Sequence, residues 1–283
     1  MGFIAIVGCG PLGGAVTHAL AVRDRVPEVR LVDPSGAIAK GKALDILQSS
    51  PIDNFSTKVT AAESLASAVG ADVVVIADSA AGAEHAGESG LALVRQLIRA
   101  GHRGPVLFAG ALQLEVMAAS VAELHLPRAF VLGSAPYALE SALRALAGLQ
   151  IDASGVDVAL RVVGVPPQHA VVAWEEATTG GQPLSSQMPA HAIAGLAARI
   201  PGLWPPGPYA LAAAASRVAE ALVRGSRKRF SCFVVADAGP VRAAVVALPV
   251  EIGPQGVIRV LEPALTRQER TGMENAIERA ARR

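Results

Sequence analysis

Apolar residues in the first half of the chain come in short unbroken runs separated by helix-length stretches. Phe3–Val7 is a β-branched-rich run without polar alternation, the pattern of a strand covered on both faces. Val29–Val32, Asp72–Ile76, Val106–Ala109 and Phe130–Leu132 repeat it. Alanine-rich or mixed stretches of helical length lie between, among them one that follows Gly14 and runs to about Val22 and another from about Ala37 to Gln48, the latter stopped by Ser49-Ser50-Pro51. Strand and helix alternate throughout, which predicts a doubly wound parallel sheet.

Beyond Pro136 the rhythm changes. Helical stretches are expected at Tyr137–Leu149, Ala190–Ile200 and Tyr209–Val223, with a closing helix over Pro263–Arg283. Val156–Val163, Ala170–Trp174, Phe230–Ala236, Ala243–Val250 and Val257–Leu261 read as antiparallel strands. The fold class is therefore α/β, a Rossmann-type doubly wound sheet over residues 1–136 followed by an α+β part over 137–283 packed against it.

Composition narrows the options. Of 283 residues 52% are hydrophobic and 17% charged, ample for a core. Lys and Arg number 25 against 24 Asp and Glu, so no overall field favours nucleic acid or a membrane surface. The basic cluster Arg224–Arg229 reads as the solvated end of the preceding helix. The chain shows no basic-then-apolar leader and no long uncharged apolar run. Cys9 and Cys232 lack metal-ligand spacing, so no metal site is expected, and the default setting is a reducing cytoplasm.

One turn carries chemistry. Gly8, Gly10 and Gly13, with Pro11 and Leu12 between them, follow the first strand and open a helix. In that setting the first glycine allows a tight turn, the second lets backbone approach a pyrophosphate, and the third lets helix and strand pack closely. Asp33, at the end of the second strand, can accept from the ribose hydroxyls of NAD and would repel the extra phosphate of NADP. NAD is the expected cofactor, and a side chain at Gly10 should block it while sparing the fold. Cys9 is a small residue suited to the turn.

Further segments point to a family. Ile4–Gly14, Gly41–Asp53, Gly70–Ile76, Leu139–Ala142, Tyr209–Ala215 and Pro249–Ile258 together resemble the lactate/malate dehydrogenases over nearly the whole chain, most closely the bacterial malate dehydrogenases. The resemblance implies hydride exchange with a small 2-hydroxy acid and a homodimer or homotetramer joined through cofactor-domain helices. Here the 37–48 helix offers Ala43, Leu44, Ile46 and Leu47 for such contacts.

The family's reaction uses a histidine held by a carboxylate, an arginine clamp for the substrate carboxylate and polarising arginines on a loop after the fourth strand. The motif positions depart here. Pro166 falls where the histidine would be and His169 lies three residues on, about 10 Å along an extended segment. Glu140 stands for the orienting aspartate and is expected to be a free carboxylate facing the nicotinamide pocket. Leu143 replaces the clamp arginine, and Arg144 follows about 100° round the helix. The 77–89 loop has no arginine but carries Asp78, Glu84, His85 and Glu88, and Ala109-Gly110-Ala111 replaces the family's Thr-Asn-Pro turn. Glu140, His169 and Arg144 are thus the candidate catalytic groups, with His85 as a substitute polariser. Two readings stay open: an NAD-linked oxidoreductase with weak or changed activity, and a non-catalytic NAD(H)-binding partner or sensor.

Overall fold

The computed structural model describes residues 2–237 and 243–282. Its first part alternates as the apolar runs predict: β1 (Ile4–Val7), α1 (Pro11–Arg23), β2 (Glu28–Val32), α2 (Gly36–Asp53), β3 (Lys58–Ala62), β4 (Val73–Ile76), α3 (Gly87–Ala100), β5 (Val106–Phe108), α4 (Leu114–Ala122), β6 (Val131–Gly133) and α5 (Ala135–Gln150). The six strands run parallel in the order β3-β2-β1-β4-β5-β6. β1, β4, β5 and β6 are buried throughout, as unbroken apolar runs require.

The rest comprises β7 (Val158–Ala159), β8 (Val162–Val165), β9 (His169–Val172), β10 (Thr178–Thr179), β11 (Gln182–Pro183), α6 (Ala190–Ala198), α7 (Pro208–Arg224), β12 (Ser226–Asp237), β13 (Ala243–Gly253), β14 (Gly256–Val260) and α8 (Arg267–Arg282). β12 pairs antiparallel with β6, Phe233 opposite Gly133, so β12, β13, β8 and β9 extend the same sheet to eleven strands with β14 at the side of β13. β7, β10 and β11 form a separate three-stranded sheet.

Several sequence expectations need correction. α2 does not stop before Pro51 but runs through it to Asp53. The proline forfeits only one backbone bond in the last turn, and Asn54 (φ 54°) then ends the helix by donating its N–H to the Ser50 carbonyl. β3 has one buried residue, Val59, too little apolar pattern to announce an edge strand. The expected strand 156–163 is split into β7 and β8, which join different sheets. The basic cluster ends α7 only at Arg224; Gly225 (φ 73°) breaks the helix, and Arg227–Arg229 are exposed on β12.

The main core lies between β1, β4, β5, β6 and helices α1 and α7, and a second core joins α5 to β7, β8 and α6. Across the first, Arg23 of α1 grips Glu220 of α7 side-on, Nε and one Nη each donating to a carboxylate oxygen. Among the described residues, no helix is long and apolar enough to cross a membrane.

Candidate functional site

The glycine turn lies between the carboxyl ends of β1, β2 and β4. Gly8 (φ 105°) donates its N–H to the Val32 carbonyl, and a Cβ there would meet the Asp78 carbonyl at 2.2 Å. A Cβ on Gly13 would meet the Gly8 carbonyl at 2.0 Å, so helix and turn pack as closely as the spacing implies. Pro11 is the first residue of α1, where its missing N–H costs nothing. Asp33 is buried and accepts from the Cys9 and Ser35 N–H groups at 3.0 and 2.8 Å. Burial alone would raise its carboxyl, but those two donors outweigh it and hold it below the ordinary value. The buried Cys9 thiol is pushed up to about 11 by burial and by Asp33, which leaves it neutral.

The turn has an occupant that sequence reading missed. Asp78, two residues beyond β4, directs its carboxylate at the start of α1 and accepts from Leu12 N–H at 2.9 Å and Gly13 N–H at 2.8 Å. Gly10 donates to the Asp78 carbonyl at 3.1 Å. A Cβ on Gly10 would lie 2.3 Å from the Ser79 carbonyl oxygen and 2.4 Å from the Asp78 carboxyl carbon. The side of Gly10 expected to face a pyrophosphate therefore faces the chain itself, and the arrangement does not fit a bound dinucleotide. The signal was available: β1 and β4 are parallel neighbours with Val7 beside Ile76, so residue 78 must fall next to the glycine turn.

The segment from Ala77 to His85 is pinned across the cleft. The Glu84 carboxylate accepts from Ala111 and Leu112 N–H at 3.0 and 2.8 Å, at the turn where the family has Thr-Asn-Pro. The Gln113 amide donates to the carbonyls of Ala77 and His85 and accepts from Gly110 N–H. Asp78 and Glu84 of this loop do not stand open to a substrate: both are engaged with backbone N–H groups. His85 is half-buried, and its pKa is pushed down by burial against the pull of Asp33 and Asp78. It thus lies within the field of the glycine-turn acids.

Glu140 is fully buried on α5 and is not a free carboxylate. It accepts from Ser231 Oγ of β12 at 2.7 Å and from Arg161 of the β7–β8 connection at 3.1 Å. Burial pushes its carboxyl up to about 7, with Arg161 and Ser231 pulling the other way. Arg144, singled out by its place in the sequence, instead donates to the Val156 and Val158 carbonyls. Arg161 is the cation that meets Glu140. It lies three residues before Gly164, and only the return of β8 beside β13 and β12 brings it to α5. His169 begins β9 opposite Val165, half-buried, with its ring 3.3 Å from Arg279 of α8. The fold does not bring it to Glu140, whose hydrogen-bond partners are Ser231 and Arg161.

Neither of two open cavities is lined by Asp33, Asp78, Glu84, Glu140 or His169. One of about 770 Å³, lined by Arg23, Arg25, Arg144, Arg217, Arg224 and Glu220 among others, lies at the far end of α1, roughly 20 Å from the glycine turn by helix rise. The other, about 490 Å³, lies between α1, α2 and the start of α7.

Comparison with known proteins is consistent across sequence and fold. Residues 3–99 match the family model for the lactate/malate dehydrogenase NAD-binding domain. The malate dehydrogenase of Desulforudis audaxviator is 25% identical over 97% of this chain and 94% of its own. That of Roseobacter denitrificans is 28% identical over 97% and 93%. Among solved structures, malate dehydrogenase from Salinibacter ruber superposes with a TM-score of 0.86 at 23% identity, covering 98% of this chain and 95% of that one. A lactate dehydrogenase from Cryptosporidium parvum, solved with lactic acid and NAD, superposes at 0.83 with 22% identity over 99% and 95%. Residues 3–99 thus carry the lactate/malate dehydrogenase NAD-binding domain, and the chain is similar to malate dehydrogenases over nearly its whole length.

Proposed function

We propose that this protein is an NAD(H)-linked family member with an altered substrate site, and that it turns over malate and lactate far more slowly than a member with the histidine and arginines in place. One observation carries the reading: the carboxylate that would orient the histidine is bonded to Arg161 and Ser231, while His169 lies against α8. Without a held imidazole the family's proton donor to a new alkoxide is missing from its place, and Glu140 is paired with Arg161. A site with so little net positive charge favours a substrate with fewer carboxylates than oxaloacetate. Functionally, residues 1–136 serve the cofactor and 137–283 the substrate side, in a cytoplasmic protein.

The test is steady-state reduction of oxaloacetate and pyruvate, followed by loss of NADH absorbance, in wild type and His169→Ala. Rates about three decades below ordinary members, unchanged in the variant, are expected. Ordinary turnover in wild type that collapses in the variant would overturn the reading. A neutral aldehyde and ketone panel run alongside identifies any changed substrate.

The second reading, a non-catalytic NAD(H)-binding partner or sensor, is favoured by the carboxylates of Asp78 and Glu84 seated on the backbone of the cleft. Either reading goes with a homodimer or homotetramer built through α2. Ala43 and Ile46 pack inward against Phe55 and Val59, but Leu44 and Ile52 are 57% and 80% exposed and Tyr209 at the start of α7 is 84% exposed. Light scattering at micromolar concentration should show an oligomer that Leu44→Glu dissociates; a wild-type monomer refutes it.

A further inference from the structure

The first turn of a helix ordinarily offers unpaired N–H groups to an anion. In α1 that supply is used up. Pro11 has no N–H, Leu12 and Gly13 give theirs to the Asp78 carboxylate, and Gly14 bonds back to the Gly10 carbonyl. A phosphate seated on this turn would need the space and the donors that Asp78 holds. Asp78 is itself only 3% exposed, so the carboxylate is enclosed in the site.

The segment that carries it is fastened at several points. Ser79 N–H donates to the Ala83 carbonyl and Gly82 N–H to the Ser79 carbonyl, closing a tight turn, while Asp78 and Glu84 pair as a short antiparallel bridge. Glu84 then anchors the far side on Ala111 and Leu112. Both anchors are charge-assisted bonds to backbone donors, stronger than neutral ones.

We propose that Asp78 is an intramolecular competitor of the dinucleotide pyrophosphate: its carboxylate holds the NAD(H) site shut, and NAD(H) enters only when the 77–85 segment leaves the start of α1. This rests on the reading of the glycine turn as the NAD(H) site. The closed form lowers apparent affinity by the fraction of molecules that are open, so a site open about 1% of the time binds about 100-fold more weakly than a permanently open one.

The experiment is isothermal titration of NADH into wild type, Asp78→Asn and Asp78→Ala, each checked for fold by circular dichroism. Asp78→Ala should bind NADH about 100-fold more tightly than wild type. Asp78→Asn, which keeps one acceptor but no charge, should fall between, and it carries the test alone if the alanine variant does not fold. Wild type binding NADH as tightly as the variants overturns the competition and leaves the NAD(H) reading standing. Folded variants that bind no better than a non-binding wild type overturn both.

Discussion

Replacing Glu140 with glutamine should remove a pH dependence from the stability of the whole protein. The carboxyl is fully buried, and burial lifts it from 4.5 to about 7 even with Arg161 and Ser231 as partners. An acid whose folded value lies above its unfolded one binds its proton more tightly in the native state. Its stabilising contribution is therefore complete below about pH 4.5 and is lost as pH rises through about 7. At about 1.4 kcal/mol for each pH unit, the loss comes to about 3 kcal/mol across that window. Glutamine has almost the same shape, can accept from Arg161 and donate to Ser231 Oγ, and does not titrate. Urea unfolding from pH 4 to 8 should show wild type weakening relative to Glu140→Gln by that amount, with the variant the more stable protein at pH 8. Parallel curves for the two proteins would refute the assignment of a strained, buried carboxyl at this position.

Gly10→Ala should destabilise the free protein by about 1–3 kcal/mol, because its Cβ meets a backbone carbonyl as well as the Asp78 carboxyl; thermal unfolding equal to wild type would show that the 77–85 segment yields freely. A larger side chain there should cost more, so the expectation that it spares the fold is corrected. Glu220→Gln weakens the bidentate grip of Arg23 between α1 and α7 and should cost about 1–2 kcal/mol in urea unfolding, with no change if the pair is idle.

The sequence carried most of the parallel half of the fold, because strands buried on both faces leave unbroken apolar runs such as Val73–Ile76. It carried α2 only in part, since Pro51 marks a probable helix boundary without forbidding one more turn. It could not show that β12 would seat itself beside β6, as sheet neighbours are chosen by packing between segments roughly a hundred residues apart. The same limit governed the site. The lack of a histidine at Pro166 followed from the resemblance to the family's motif, whereas Arg161 reaches Glu140 only through the route of β8. Arg144, nearer in sequence, is drawn off by two carbonyls. Asp78 was visible as a charge, and its partner was fixed by the parallel register of β1 and β4.

The departures from the family pattern share one physical feature. A cleft that has lost ligand-binding groups still contains backbone donors and buried charge, and each such group left unpaired would cost about 1–3 kcal/mol. In this chain the donors of the glycine turn meet Asp78, those of the Ala109–Ala111 turn meet Glu84 and Gln113, and the carboxylate of α5 meets Arg161 and Ser231. The pairings are made by side chains supplied from three different connections of the fold and from β12, which is what a site satisfied from within requires. Asp78 and Glu84 lie on one short segment, so a single displacement would release both. The arrangement is therefore compatible with a cofactor that must compete for entry, and the Glu140–Arg161 pairing, made by separate elements, has no comparable single hinge.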